Sequence, residues 1–162
     1  MLTYVLVILV VIAVLYFSFR ALGGGTAVTP EDYRTVLARI GEFTAARAAE
    51  LDASLDAETA NAARKKLTGY QEQLSRLEPD AAGEEQELLL SVRSLLSVAI
   101  EDLGWACRMV EAGNHGDNQG VQRAVADLRS AAAECIAAAQ RLLGNARTGA
   151  EENPDARSDS GG

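Results

Sequence analysis

The sequence predicts an all-α protein in which one N-terminal transmembrane helix precedes an antiparallel four-helix bundle. An uninterrupted apolar run opens the 162-residue chain. After it, apolar residues recur every three or four positions, which is the period of an amphipathic helix. The three prolines, Pro30, Pro79 and Pro154, fall where a helix could begin or end. Strand-like alternation is absent outside the first segment, so no β structure is expected.

Residues 1–22 are predicted to form a transmembrane anchor. Residues 2–19 contain no charged side chain, and 18 residues at about 1.5 Å each span about 27 Å, close to the thickness of a hydrocarbon core. The residues predicted to lie at the membrane interface are Tyr4 at one end and Tyr16, Phe17, Phe19 and Arg20 at the other. Because the run has no His, Asp, Glu, Lys or Arg, it offers no ion path, proton relay or histidine ligand for a cofactor.

A cleaved signal peptide is the alternative interpretation of this segment, since Ala21 and Gly23 frame a small-x-small pattern. No lysine or arginine precedes the apolar run, and the run exceeds the usual signal length, which favours retention. The nearest positive residues, Arg20, Arg34 and Arg39, all follow the segment. This asymmetry predicts that the body lies on the cytoplasmic side.

Residues 23–29 are predicted to be a Gly-rich flexible linker, and residues 30–145 the helical bundle. The linker ends at a strong helix start, in which Thr29 caps, Pro30 suits the first position and two acids follow. The first helix is predicted to end near Ala53. Its apolar stripe consists of Tyr33, Val36, Leu37, Ile40, Phe43, Ala48 and Leu51.

A second stripe has a different phase and stops before residues 78–80. It consists of Ala60, Ala63, Leu67, Tyr70, Leu74 and Leu77. The change of phase predicts a tight turn at residues 54–57, with Ser54 or Asp56 as cap. Since no glycine or proline forces this break, a three-helix arrangement with one long helix is the alternative.

The third helix is predicted to begin after Gly83 and to end near Gly113. Its core stripe consists of Leu89, Val92, Leu96, Ala99, Leu103, Ala106 and Val110, with Leu95, Val98, Trp105 and Met109 alongside. The apolar face is therefore wider than one neighbouring helix requires, so either this helix is central or part of its face meets a partner. Val98, Trp105 and Met109 are the predicted partner-contact residues, because aromatic and methionine side chains often anchor interfaces.

The last helix is predicted from positions that alternate in steps of four and three. They are Val121, Val125, Leu128, Ala132, Cys135, Ala139 and Leu142. Small residues dominate this seam, which allows a neighbouring helix to approach closely and makes the face a second candidate for partner binding. Gly144 and Asn145 are predicted to end the helix, and residues 146–162 to form a disordered acidic tail.

The residues predict no catalytic, cofactor-binding or metal site. The net charge of −8 and the lack of a clustered basic face argue against nucleic-acid binding. The chain has one histidine, His115, in a predicted turn, and its two cysteines lie at different distances from that turn. They are therefore predicted to be free thiols. No phosphate-binding loop, dinucleotide fingerprint or nucleophile elbow occurs.

By elimination, the sequence favours a non-catalytic, membrane-anchored accessory or scaffold subunit. Its expected partners are the lipid bilayer and other membrane protein subunits. The alternative is a membrane-tethered regulatory or sensory module whose bundle changes its packing when a partner binds. An enzyme would require a pocket with converging polar groups, which the sequence pattern does not indicate.

Overall fold

The structure is a computed structural model that describes residues 26–113 and 118–151. In this part the chain forms helices α1 Pro30–Ala53, α2 Ala57–Arg76, α3 Gly83–Glu111 and α4 Gln119–Glu151, with short strands β1 Thr26–Val28 and β2 Leu77–Pro79. The predicted helical bundle is confirmed. The three-helix alternative is wrong, because α1 and α2 are separate helices.

The predicted anchor, residues 1–22, lies outside the described residues. The same holds for its predicted interface residues Tyr4, Tyr16, Phe17, Phe19 and Arg20, for the turn residues 114–117 and for residues 152–162. Within residues 26–113 and 118–151, no helix combines the length and the apolar character needed to cross a membrane.

Local side-chain hydrogen bonds separate α1 from α2. The Asp56 carboxylate accepts hydrogen bonds from the backbone N–H and the hydroxyl of Thr59, each at 2.8 Å, and another from the Ser54 hydroxyl. These bonds, led by that from Ser54, hold the pKa of Asp56 well below its ordinary value. Asp56 is therefore the cap of α2, and the predicted turn at residues 54–57 is confirmed.

A small parallel sheet closes the end of the bundle where α1 begins. Thr26 pairs with Leu77 and Val28 with Pro79, and the Asp80 N–H donates to the Val28 carbonyl at 2.9 Å. The prediction of no β structure is wrong here, and residues 26–28 of the predicted flexible linker are held to the bundle. Each strand has only three residues, too few to show an alternating pattern in the sequence.

Helix α3 lies at the centre of the bundle and contacts all three other helices. Two ion pairs define the helix directions. Arg34 and Glu85, 2.8 Å apart, join the starts of α1 and α3, whereas Arg64 and Glu111, 2.7 Å apart, join the start of α2 to the end of α3. Helices α1 and α3 therefore run parallel to each other and antiparallel to α2.

Every residue of the predicted α3 core stripe is buried. Ile100, Gly104 and Cys107 are buried as well, because α3 has neighbours on three sides. Between α1 and α3, Gly41 is also buried, and a Cβ atom placed on it would lie 3.5 Å from Leu96 Cδ2. A methyl group at this position would therefore be in ordinary van der Waals contact with Leu96, so α1 and α3 pack closely here without requiring a glycine.

Helix α4 continues beyond its predicted end. It starts at a cap in which the Asn118 side-chain oxygen accepts from the N–H groups of Gly120, at 2.9 Å, and Val121, at 3.3 Å. It then passes through Gly144 and Asn145 to Glu151, so the predicted end and the predicted start of the tail are wrong. Each of the two glycines in this stretch, Gly144 and Gly149, costs the helix only about 1 kcal/mol, which the other residues of this long helix can offset.

Candidate functional site

Exposed large apolar side chains concentrate on α3. In the described residues they are Phe43, Leu55, Leu90, Val98 and Trp105, and the last three belong to this helix. None belongs to α4, where Leu128 and Leu142 pack against the core. Of the two faces that the sequence singled out for partner binding, only that of α3 presents large apolar side chains to solvent.

We call this surface the outer α3 face. It comprises the exposed residues Leu90, Ser91, Ser94, Val98, Glu101 and Trp105. Val98 and Trp105 are each 47% exposed and lie two helical turns apart, or about 10 Å along the axis. From Leu90 to Trp105 the helix rises about 22 Å, which is long enough to contact four turns of a partner helix.

The three predicted contact residues have different positions. Val98 and Trp105 lie on the outer α3 face, but Met109 is half-buried and packs against the core. Leu90, which is 39% exposed, was not predicted. The signal for it is the run of three leucines at residues 88–90, because successive residues of a helix point in different directions and cannot all face one core.

A shallow depression of about 500 Å³ lies at one end of this face, lined by Leu90, Ser91, Ser94, Leu95 and Val98. In this depression the small residues Ser91 and Ser94 lie between apolar side chains. The Ser91 hydroxyl donates to the Glu87 carbonyl at 2.8 Å, so it does not depend on a partner for a hydrogen bond. This arrangement suits an inserted apolar side chain, which is the usual anchor of a protein interface.

Two adjacent carboxylates, Glu101 and Asp102, lie between Val98 and Trp105 along the helix. Among the described residues, neither of them belongs to an ion pair. Arg108 is nearby, but its guanidinium carbon lies 4.5 Å from the centre of the Trp105 ring, in a cation–π contact. Partial burial, followed by the charge on Glu101, raises the pKa of Asp102 above its ordinary value.

Asp102→Asn is expected to stabilise the fold slightly at neutral pH. A raised folded-state pKa means that the ionised carboxylate destabilises the fold, so stability falls as the pH rises through the unfolded and then the folded pKa. We expect the melting temperature of the variant to be about 1–3 °C above that of wild type at pH 7. At about pH 3 we expect the two melting temperatures to be equal, because aspartic acid and asparagine are then both uncharged. Thermal melts at the two pH values measure this difference. The control is Glu42→Gln, which removes an exposed acid from α1. A melting temperature of Asp102→Asn below that of wild type at pH 7 would contradict the expectation.

Similarity to known proteins does not identify a function for the outer α3 face. No family model, no curated protein and no solved structure matches this chain. A function therefore has to be inferred from the geometry and charge of the chain itself.

The two cysteines are poor candidates for nucleophiles. Both are free, with Cys107 buried and Cys135 half-buried. Burial, and next the charge on Glu111, raises the pKa of Cys107 to about 11, and burial also raises the pKa of Cys135. Thiols with raised pKa values are mostly protonated at neutral pH and react slowly. In the described part of the chain, no group of three or more His, Cys, Asp or Glu side chains could hold a metal ion.

Proposed function

We propose that the chain is a non-catalytic, membrane-anchored accessory or scaffold subunit that positions or stabilises a larger membrane protein complex through its helical bundle. The observation that carries the proposal is the exposure of Val98 and Trp105 on the central helix. A tryptophan held on a rigid helix, with an apolar residue two turns away, has the composition of an interface anchor. Its partners are the lipid bilayer and other membrane protein subunits.

The apolar N-terminal segment supports the membrane part of the proposal. Its uncharged residues 2–19 have the length and composition of a single membrane span, and the arginines that follow favour a cytoplasmic bundle. Strand β1 is held against β2, so only residues 20–25 separate the apolar run from the bundle. Such a short tether would keep the outer α3 face at a high effective concentration near other proteins of the same membrane.

The described interior supports a binding role over a catalytic one. Thr44 is buried and its hydroxyl donates to the Ile40 carbonyl at 2.7 Å. Tyr33 is buried next to Arg93, and burial raises the pKa of its hydroxyl against the opposing effect of Arg93. Neither Tyr33 nor Arg93 lines the depression on the outer α3 face, and acid–base or nucleophilic catalysis needs converging polar groups in a pocket.

Co-purification tests the proposed function. The full chain, extracted in mild detergent and analysed by mass spectrometry, is expected to carry a membrane protein in stoichiometric amount. Trp105→Ala is expected to weaken this association about thirtyfold, since truncation of a central aromatic anchor costs about 2 kcal/mol or more. Phe43→Ala is the matched control. Phe43 is 45% exposed but lies on α1, stacked on Tyr70 with ring centres 5.8 Å apart. Recovery of a lone monomer would remove the proposal.

A second candidate, a regulatory module, is favoured by one observation. Strand β1, which follows the predicted anchor, pairs directly with β2 between α2 and α3. A change at the membrane could therefore reach the bundle through backbone hydrogen bonds. This function predicts different amide hydrogen exchange of residues 26–28 and 77–79 with and without the partner, whereas a static scaffold predicts protection on the outer α3 face alone.

A further inference from the structure

The shape of the outer α3 face suits another helix. The face is one side of a single helix, with exposed apolar side chains at Leu90, Val98 and Trp105 over about 22 Å. Between Leu90 and Val98 the side chains of Ser91 and Ser94 are small, and the depression lies there. A helix with apolar residues on one side can lie along such a surface and insert a side chain into the depression, as in helix-in-groove recognition.

The negative charge of this face indicates which charged residues a partner should carry. Glu101 and Asp102 carry two negative charges between Val98 and Trp105 without an ion pair in the described residues. The guanidinium of Arg108, one turn beyond Trp105 on the same helix, lies over the Trp105 ring. A partner that covers the apolar residues would also cover Glu101 and the exposed part of Asp102, which is half-buried at the edge of the face toward Cys135 of α4. An unpaired carboxylate loses solvation when it is covered. Binding is therefore favourable when the partner supplies lysine or arginine at this point.

A second copy of the chain is a poorer occupant. Two copies meeting in parallel, or in antiparallel register at Glu101 and Asp102, would set these carboxylates against their own equivalents, which costs free energy. The chain also carries a net charge of −8, so two copies repel each other at long range.

We propose that the outer α3 face binds an amphipathic helix of a partner protein, with apolar residues against Leu90, Val98 and Trp105 and a lysine or arginine against Glu101 and Asp102. The inference rests on the proposed function, because it specifies the partner segment that the accessory subunit recognises. It also agrees with the proposed topology, since segments of membrane proteins next to the bilayer on the cytoplasmic side are rich in lysine and arginine.

The chain contains a built-in reporter for this interaction. Trp105 is the only tryptophan, so the fluorescence spectrum reports on one position of the proposed interface. The experiment titrates the full chain, held in uncharged lipid nanodiscs, with a tryptophan-free helical peptide of about 18 residues that has a leucine stripe flanked by lysines. We expect a saturable blue shift of the Trp105 emission and a one-to-one complex.

Substitutions on the chain separate the apolar and the charged contributions. Binding is followed by the anisotropy of the labelled peptide, which also serves for variants without tryptophan. Leu90→Ala combined with Val98→Ala, and Glu101→Gln combined with Asp102→Asn, are each expected to weaken binding about tenfold. Glu42→Gln combined with Glu58→Gln removes two exposed acids from other helices and is expected to change the affinity less than about twofold.

Three results would overturn the inference. The first is equally tight binding of a peptide with glutamates in place of the lysines. The second is equally tight binding of a scrambled peptide without a leucine stripe. The third is a concentration-dependent dimer of the chain that shields Trp105 in the absence of peptide. Success of the co-purification together with any of these results would leave the accessory function in place and reject only this partner class. A lone monomer in the co-purification would reject the accessory function itself.

Discussion

Leu96→Ala is expected to lower the free energy of unfolding by about 2–5 kcal/mol. Leu96 is completely buried in α3, which contacts all three other helices, and it lies beside Gly41 on α1. The cavity would be hard to fill, because a shift of α3 toward one neighbour would open a gap against another. Since domains of this size are stable by only about 5–15 kcal/mol, the loss is a large fraction of the total.

Urea unfolding of the full chain in mild detergent, followed by helical circular dichroism, measures this loss. Leu90→Ala is the matched control, because it removes the same atoms from the same helix at a position that is 39% exposed. We expect this control to cost less than about 1 kcal/mol. Equal losses for the two variants would contradict a core centred on α3.

The double variant Ile8→Lys and Val11→Lys is expected to be released from the membrane. Each lysine at the centre of a spanning helix costs about 2.5–3.5 kcal/mol, and each lost isoleucine or valine removes a further 0.3–0.6 kcal/mol or so. The combined cost of about 6–8 kcal/mol corresponds to a more than ten-thousandfold change in partitioning. We expect the wild-type chain in the membrane pellet after an alkaline carbonate wash, and the double variant in the supernatant.

Leucine at the same two positions is the control, since it keeps the segment apolar and should leave the chain in the pellet. Wild-type chain in the carbonate supernatant would reject the membrane proposal. A mature N-terminus near residue 23, found by mass spectrometry, would instead support the signal-peptide alternative, because cleavage after the small-x-small pattern removes the apolar run.

Most helix boundaries of the bundle were predictable because their signals are local. Thr29 and Pro30 start α1, Asp56 caps α2, and α3 begins at Gly83. For α1 and α2 the capping hydrogen bonds join residues three positions apart, such as the bond from the Thr59 N–H to Asp56. Such interactions can be read from neighbouring letters of the sequence.

The candidate site was predictable only in part. The sequence indicates that α3 has an unusually wide apolar face and that Val98 and Trp105 belong to it. It does not tell which side of that face the other helices cover, because burial depends on where they pack. For this reason Met109, which the sequence groups with Trp105, is half-buried, whereas Leu90 is exposed. The contact of Arg108 with Trp105 likewise became visible only in the structure.

The sequence by itself determined the predominantly helical class, the apolar stripes of the helices, the acidic charge and the uncharged apolar segment at residues 2–19. These properties depend on composition and on short-range periodicity. The tertiary structure decided the pairing of β1 with β2, the central position of α3 and the solvent exposure of the outer α3 face. All three arise from contacts between residues far apart in the chain, and no local pattern of the sequence specifies such contacts.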